Sequence, residues 1–134
     1  MEIKVTTENA RVPVTLIHID GNLDSSSYIE FQKQAEELIK GGARNILVDL
    51  AHAPFVSSAG LRAIHQIYKD LNSMHPDAAP NEEEIKKGIA SGTYKSPYLK
   101  LANLSKETKL VFITTGFDMY IEHYDDLKLA LESF

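Results

Sequence analysis

Two neighbouring serines, Ser57 and Ser58, are the side chains of this sequence whose surroundings best suit chemistry. They follow the apolar run 46–50 and a connector that contains Pro54, and a helical pattern begins directly after them at Ala59-Gly60-Leu61. A helix N-terminus offers unpaired backbone N–H groups and the positive end of the helix dipole. One hydroxyl can therefore act as the helix N-cap, and a phosphate carried at this place would be stabilised.

A nucleophilic role for the pair lacks support in the sequence. The stretch from Val56 to Gly60 contains Ser-x-Gly after a predicted strand, whereas the nucleophile elbow of a hydrolase requires Gly-x-Ser-x-Gly, and Val56 stands in place of the first glycine. His123 and Asp118 occur later, but they belong to a predicted terminal strand and its approach. We therefore expect no catalytic residues and no enzyme activity, and we keep a serine hydrolase as a remote alternative.

Composition argues against several other classes of function. The 134 residues carry a formal net charge of −5, whereas a nucleic-acid-binding protein presents a basic surface. Cysteine is absent, and the five histidines lack metal-ligand spacing, so we expect no metal and no other cofactor. His65 is expected on the outward side of its helix. No apolar run approaches the roughly 18 residues of a membrane span, and a signal peptide is not apparent, so we expect a cytoplasmic protein.

Strands and helices alternate along the chain and must position the serines. Periodicity and β-branched residues predict strands near residues 3–7, 12–19, 44–50, 98–104 and 120–124. Helical spacing and capping signals predict helices at 27–40 and 58–73 and after Asp125-Asp126, and Ser105-Lys106-Glu107 is typical of a further helix start. The order β-β-α-β-α-β-α-β-α implies a single α/β domain over 1–134, with a mixed, mostly parallel sheet and about four helices.

Two local features are expected within this frame. Ser27 and Glu30 have the spacing of a capping box, although Asp24 or Ser25 could cap the first helix instead. Residues 74–97 contain few apolar side chains and several prolines and glycines, and we interpret them as a mobile insertion.

Several short motifs resemble, in order and spacing, those of the STAS family, the domain shared by bacterial anti-sigma factor antagonists and the cytoplasmic tails of sulfate transporters. The similar segments are Gly21-Asn22-Leu23-Asp24, Val48-Asp49-Leu50, Ser57 to Leu61, Asn103-Leu104-Ser105 and Thr115-Gly116-Phe117-Asp118. The resemblance covers nearly the whole chain except the insertion. It also favours a helix over 105–116, where the β-propensity of residues 110–115 alone would favour a strand.

The resemblance implies a regulatory switch at the serine pair. In anti-sigma factor antagonists the corresponding serine is phosphorylated by a partner kinase that is itself the anti-sigma factor, and alignment on Gly60 and Leu61 places that serine at Ser58. Ser57 stands where the family usually has Asp, and Ala59 where it usually has Ser or Thr, so Ser57 is a competing acceptor. A phosphatase is a further implied partner, and we expect a monomer or a weak homodimer.

The expected docking surface surrounds this switch, because residues 22–24 should lie at the same end of the sheet as the serines. The candidate partner-binding residues are Asn22, Asp24, Phe55, Val56, Ser57, Ser58, Gly60, Leu61 and Arg62. The missing Asp leaves an alternative open, a STAS interaction module that phosphorylation does not regulate, either stressosome-like or transporter-regulating.

Overall fold

The predicted order of strands and helices is confirmed by a computed structural model, which describes residues 1–74 and 95–134. The strands are β1 (Glu2–Asn9), β2 (Pro13–Asp20), β3 (Ile46–His52), β4 (Leu99–Ala102) and β5 (Glu122–Tyr124). The helices are α1 (Tyr28–Lys40), α2 (Ser58–Ser73), α3 (Lys106–Thr114) and α4 (Leu127–Glu132), and a 3-10 turn covers Phe117–Met119. None of the helices in these two ranges is long and apolar enough to cross a membrane.

The described strands form one sheet in the order β1-β2-β3-β4-β5. β1 and β2 pair as an antiparallel hairpin, and every later pair is parallel, which confirms the mixed, mostly parallel sheet. Parallel neighbours need long crossover connections, and α1 and α3 provide the connections that follow β2 and β4. The carboxyl ends of β2, β3, β4 and β5 therefore meet at one edge of the sheet, which is the edge where the serines lie.

Side chains alternate between two cores on opposite faces of the sheet. Ile17 and Ile19 of β2 join the larger core with the apolar faces of α1 and α2 and with Phe112 of α3. Val14 and Leu16 join a smaller core that α4 covers through Ala130. The period-2 pattern of a strand thus sorts successive residues of β2 between the two layers of helices.

The short helix α4 is held to its face by a buried lysine. Lys100 of β4 is 5% exposed, and its Nζ donates to Ser133 O at 2.7 Å and to Ser133 Oγ at 3.0 Å. The same Nζ lies 4.9 Å from the centre of the Phe134 ring. A cation at the C-terminal end of a helix compensates the negative end of its dipole, so the charge stabilises the docked α4.

Several boundaries differ by one or two residues from those predicted, and the end of the chain shows why one of them shifts. The last strand begins at Glu122 rather than near Tyr120, because Gly116 adopts φ 85° and leads into the 3-10 turn before the chain extends again. At the end of the predicted insertion 74–97, Ser96 is 1% exposed and its N–H donates to Tyr120 O at 2.8 Å. Residues 75–94 lie outside the described residues.

The first turn of α2 is pressed against the connection between β2 and α1. A Cβ atom at Gly60 would lie 2.6 Å from Leu23 O and 2.9 Å from Leu23 Cγ, much closer than van der Waals contact allows. Glycine is therefore the residue that lets the helix backbone approach Leu23, and this contact fixes where α2 begins.

We predict that Gly60→Ala destabilises the fold by about 1–3 kcal/mol, because the added methyl group overpacks this contact. In an unconstrained helix the same change would stabilise by about 1 kcal/mol. Gly41→Ala is the matched control, since its Cβ would lie 3.4 Å from Glu37 O and Gly41 already has φ −78°. Denaturant unfolding measures both free energies, and an equal effect of the two substitutions would contradict the assignment.

A buried carboxylate ties together β2, β3 and the end of β4. Asp49 of β3 is 7% exposed, and its Oδ2 accepts from His18 Nδ1 at 2.8 Å. Its Oδ1 accepts from Asn103 Nδ2 and from Ala51 N, both at 3.1 Å. Burial alone would raise the pKa of Asp49, but the hydrogen bonds from Asn103, Ala51 and His18 outweigh it and hold the pKa below its ordinary value.

A lowered pKa means that ionised Asp49 stabilises the folded state above the ordinary carboxyl pKa of about 3.9, and that this contribution is lost as pH falls through the folded-state value. We therefore predict that Asp49→Asn costs about 1–3 kcal/mol at pH 7, and that its deficit relative to the native protein shrinks on acidification. Unfolding free energies measured between about pH 3 and pH 7 test this. Asp20→Asn, which changes an exposed carboxylate, is the control. A deficit that grows at low pH would refute the role of Asp49.

Candidate functional site

The connection between β3 and α2, here called the serine loop (residues 53–58), runs beside the connection that follows β2. Leu23 N donates to Phe55 O at 3.0 Å, and Ser57 N donates to Leu23 O at 2.9 Å. Leu23 and Val56 form an isolated parallel bridge. The two connections thus continue the pairing of β2 with β3 beyond the strand ends, and they bring residues 22–24 next to the serines.

The two serine hydroxyls have different surroundings. Ser57 is the N-cap of α2, has extended backbone angles, and accepts from Gly60 N through its Oγ at 3.3 Å. Ser58 is the first helical residue and is exposed. Of the two capping residues that the sequence left open, the structure uses Ser57. The hydroxyl that remains exposed at the positive end of the helix is that of Ser58.

The turn over residues 22–27 is held by its own side chains. Ser27 Oγ accepts from Asp24 N at 3.0 Å and donates to Asn22 O at 2.8 Å, and it makes no cap hydrogen bond to α1. The predicted capping box of Ser27 with Glu30 is therefore wrong, because the turn uses this hydroxyl instead. Asp24 Oδ1 accepts from Ser26 N at 2.9 Å and from Ser26 Oγ at 2.6 Å.

These hydrogen bonds also set the charge of the turn. The bond from the Ser26 side chain, followed by the one from the Ser26 backbone, lowers the pKa of Asp24. The carboxylate consequently stays ionised on a turn whose neighbour, Leu23, is bonded directly to the serine loop. Asp24 thus supplies a negative charge at the same edge of the sheet as Ser58.

Burial divides the predicted docking residues into two groups. Phe55 is 51% exposed, which is unusual for a large aromatic side chain and leaves an apolar surface on the serine loop. Asn22, Ser58 and Arg62 are also exposed, and Asp24 and Ser57 are half-buried. The others, Val56, Gly60 and Leu61, are buried. The structure gives these three a packing role, and their side chains add little to the exposed surface of the site.

Helix α3 is attached to the serine loop through a residue whose role the sequence did not reveal. Ser105 is the N-cap of α3 and accepts from Thr108 N at 3.1 Å, while its Oγ also donates to Pro54 O at 2.9 Å. The cap itself was visible as Ser-Lys-Glu at a helix start. The second bond was not, because it joins residues 51 positions apart.

The prediction that His65 faces outward is wrong. Its Nδ1 lies 2.9 Å from Tyr120 Oη, and its ring packs against Tyr68, Phe117 and Tyr120 at centroid distances of 5.7–5.9 Å. Burial, together with the charge of Lys69, lowers the pKa of His65, and burial raises the pKa of Tyr120 to about 12. The hydrogen bond between His65 and Tyr120 therefore joins a neutral imidazole and a neutral phenol.

The surroundings of the histidines bear on two further possibilities, a serine nucleophile and a metal site. His18 is hydrogen-bonded to Asp49 and His65 to Tyr120, and neither histidine is hydrogen-bonded to Ser57 or Ser58. Within the described ranges, no group of three or more His, Asp or Glu side chains is arranged to hold a metal ion. What the site does present is one exposed hydroxyl on a helix N-terminus, flanked by an exposed aromatic ring.

Solved structures of similar fold come from several bacteria. A Thermotoga maritima protein with a suggested role as an anti-sigma factor antagonist superposes with a TM-score of 0.73 at 18% identity, over 97% of this chain and 92% of that one. An anti-sigma-factor antagonist (STAS) domain protein from Planctomyces limnophilus gives 0.69 at 19% identity, over 96% and 94%. The Bacillus cell fate determinant SpoIIAA in its phosphorylated form gives 0.63 at 14% identity, over 98% and 97%.

Two comparisons of the sequence gave different results. No curated protein matches the chain in sequence. The family model of the STAS domain matches residues 4–75, which is more than half of the chain and includes most of β1 and all of β2, β3, the serine loop and α2. The chain therefore belongs to the STAS domain family.

Proposed function

We propose that this protein is a non-catalytic regulator of the anti-sigma factor antagonist type. It acts in the cytoplasm, binds a serine kinase that is also the anti-sigma factor, and is switched by phosphorylation of Ser58. The observation that carries the proposal is the difference between the two serines: Ser57 is used as the cap of α2, and Ser58 is exposed beside it. The similarity in fold to SpoIIAA, which has been solved in a phosphorylated form, supports it.

A phosphate on Ser58 is compatible with the fold. It adds about −1.5 to −2 charges at neutral pH, at a helix end whose N–H groups and dipole favour an anion. Arg62 is exposed and lies one turn further along α2, at the i+4 position that faces the same side of the helix. Its guanidinium can pair with the phosphate. Phosphorylation therefore changes the surface and leaves the core intact.

The switch then acts on the partner. In the unmodified protein, Phe55 offers an apolar contact and Arg62 a positive charge beside a neutral hydroxyl. The phosphate would neutralise Arg62 and place a strongly hydrated anion next to the aromatic ring. A partner whose docking surface is apolar or acidic is then repelled, because desolvating the phosphate or bringing a carboxylate near it costs free energy.

The replacement of the family's Asp by Ser57 is consistent with Ser58 as the acceptor. Ser and Asp are both good N-caps, so the substitution keeps the capping function. Ser57 is half-buried and its Oγ already accepts from Gly60 N, so it is the less accessible hydroxyl of the two. The substitution removes one negative charge next to Ser58, and Asp24 retains a carboxylate on the adjoining turn.

A second candidate function keeps the docking surface and removes the switch. Phe55 is exposed without any modification, so it could serve a STAS interaction module with a constant partner. The absence of the Asp that usually precedes the phosphorylated serine favours this alternative. The two proposals differ in whether a charge at residue 58 alters binding.

Phosphorylation is tested with purified anti-sigma-type serine kinases encoded in the source genome, ATP and mass spectrometry. We expect one phosphate, on Ser58, and no phosphate on the Ser58→Ala variant. Ser57→Ala should still be phosphorylated on Ser58, but should be about 1 kcal/mol less stable because it loses the cap. A phosphate on Ser57, or none with any of these kinases, would overturn the assignment of Ser58.

The release step is tested by measuring the affinity of that kinase for charge variants. Ser58→Asp should bind about tenfold more weakly than the native protein, and Ser58→Ala should bind normally. Asn9→Asp is the charge-matched control, because Asn9 is exposed at the opposite end of the sheet, beside the β1–β2 turn. Equal affinities for all four proteins would favour the constant interaction module.

A further inference from the structure

Helix α3 exposes apolar side chains that its own fold does not use. Leu110 is 67% exposed, Ile113 48% and Val111 41%, whereas only Thr108 and Phe112 of this helix are buried. β-Branched residues such as Val111 and Ile113 also lower helix propensity. Leaving these side chains in water gains no burial energy, so neither local preference nor the core accounts for the sequence of this helix. Clustered exposed apolar residues of this kind mark an interaction surface.

The position of α3 links this surface to the serine loop. Its N-cap, Ser105, donates to Pro54 O at 2.9 Å, and Pro54 precedes the exposed Phe55. Leu110 follows Ser105 by five positions, about 8 Å along the helix axis. The exposed face of α3, consisting of Leu110, Val111 and Ile113, therefore begins within one or two turns of the serine loop. It also lies on the side of the sheet that α2 covers.

The size of this face decides what can occupy it. A nine-residue helix is about 14 Å long, and one of its faces cannot supply the roughly 800 Å² per partner of a stable interface. The α3 face alone is thus too small for a stable complex with any protein partner. It suits the extension of a larger contact, and the surface that adjoins it is the serine loop.

We propose that the exposed face of α3 is the second half of the docking surface for the kinase that acts on Ser58, and that it takes an apolar patch of that kinase. This inference rests on the proposed function. The serine loop carries the part of the contact that a phosphate alters, whereas α3 carries an apolar part without a phosphorylatable residue among its three exposed side chains. The α3 face therefore holds substrate and kinase together while Ser58 is modified.

The test compares Leu110→Gln with Leu129→Gln. Leu129 is 58% exposed on α4, on the other face of the sheet, so the control makes the same chemical change at similar exposure. With the kinase found to phosphorylate the native protein, Leu110→Gln should weaken binding about tenfold and raise KM for phosphorylation of Ser58, with kcat little changed. Leu129→Gln should match the native protein in both measurements. Denaturant unfolding confirms that both variants are folded.

The possible failures are distinguishable. If the native protein is phosphorylated on Ser58 and Leu110→Gln binds and reacts like it, the α3 inference is overturned and the proposed function stands. An equal loss in Leu110→Gln and Leu129→Gln also overturns it, because the effect would then not be confined to α3. If no kinase phosphorylates the native protein, the proposed function fails and the α3 inference fails with it.

Discussion

The close approach of α2 to Leu23 is the contact on which the site depends. A glycine at residue 60 lets the helix backbone approach within a distance that any side chain would prevent. With the first turn held there, Leu23 bonds both Phe55 and Ser57, and the two connections become one paired surface. Ser57 can then cap Gly60 N, and Ser58 is left exposed at the start of the helix. The accessibility of one serine thus follows from the missing side chain of a glycine two positions later.

The polar groups of the molecule fall into two sets with different roles. Asp49 and Lys100 are buried and fully engaged, one across β2, β3 and β4 and the other on α4. Buried charges of this kind are tolerated because hydrogen bonds replace the water they lose, and breaking them is costly. Ser58 and Arg62 are exposed, so they can change partners without disturbing the core. A surface switch on a rigid frame is compatible with this separation.

Helix α3 illustrates how tertiary structure overrides local preference. Residues 110–115 have the composition of a strand, yet they form a helix that Ser105 caps and Phe112 anchors in the larger core. The STAS resemblance predicted that helix, and the structure confirms it. The resemblance did not predict the consequence of this fold. When a strand-like sequence forms a helix, aliphatic side chains lie on both sides of the one buried stripe. Several of them therefore face water.

Except for helix α3, which the family resemblance predicted, the sequence by itself determined the order of the elements, the mixed sheet and the residues that form the cores. These follow from periodicity: apolar residues repeat every 3.6 positions along α1 and α2, and they alternate along β2. The tertiary structure decided which serine caps α2, that Ser27 serves the turn instead of α1, that the His65 ring packs against other aromatic rings, and that Val56 and Leu61 lie in the core. Each of these depends on a contact between residues of different elements, or on a choice among neighbouring hydroxyls. A one-dimensional pattern specifies which face of an element is apolar, but not which distant backbone atom will lie beside a given side chain.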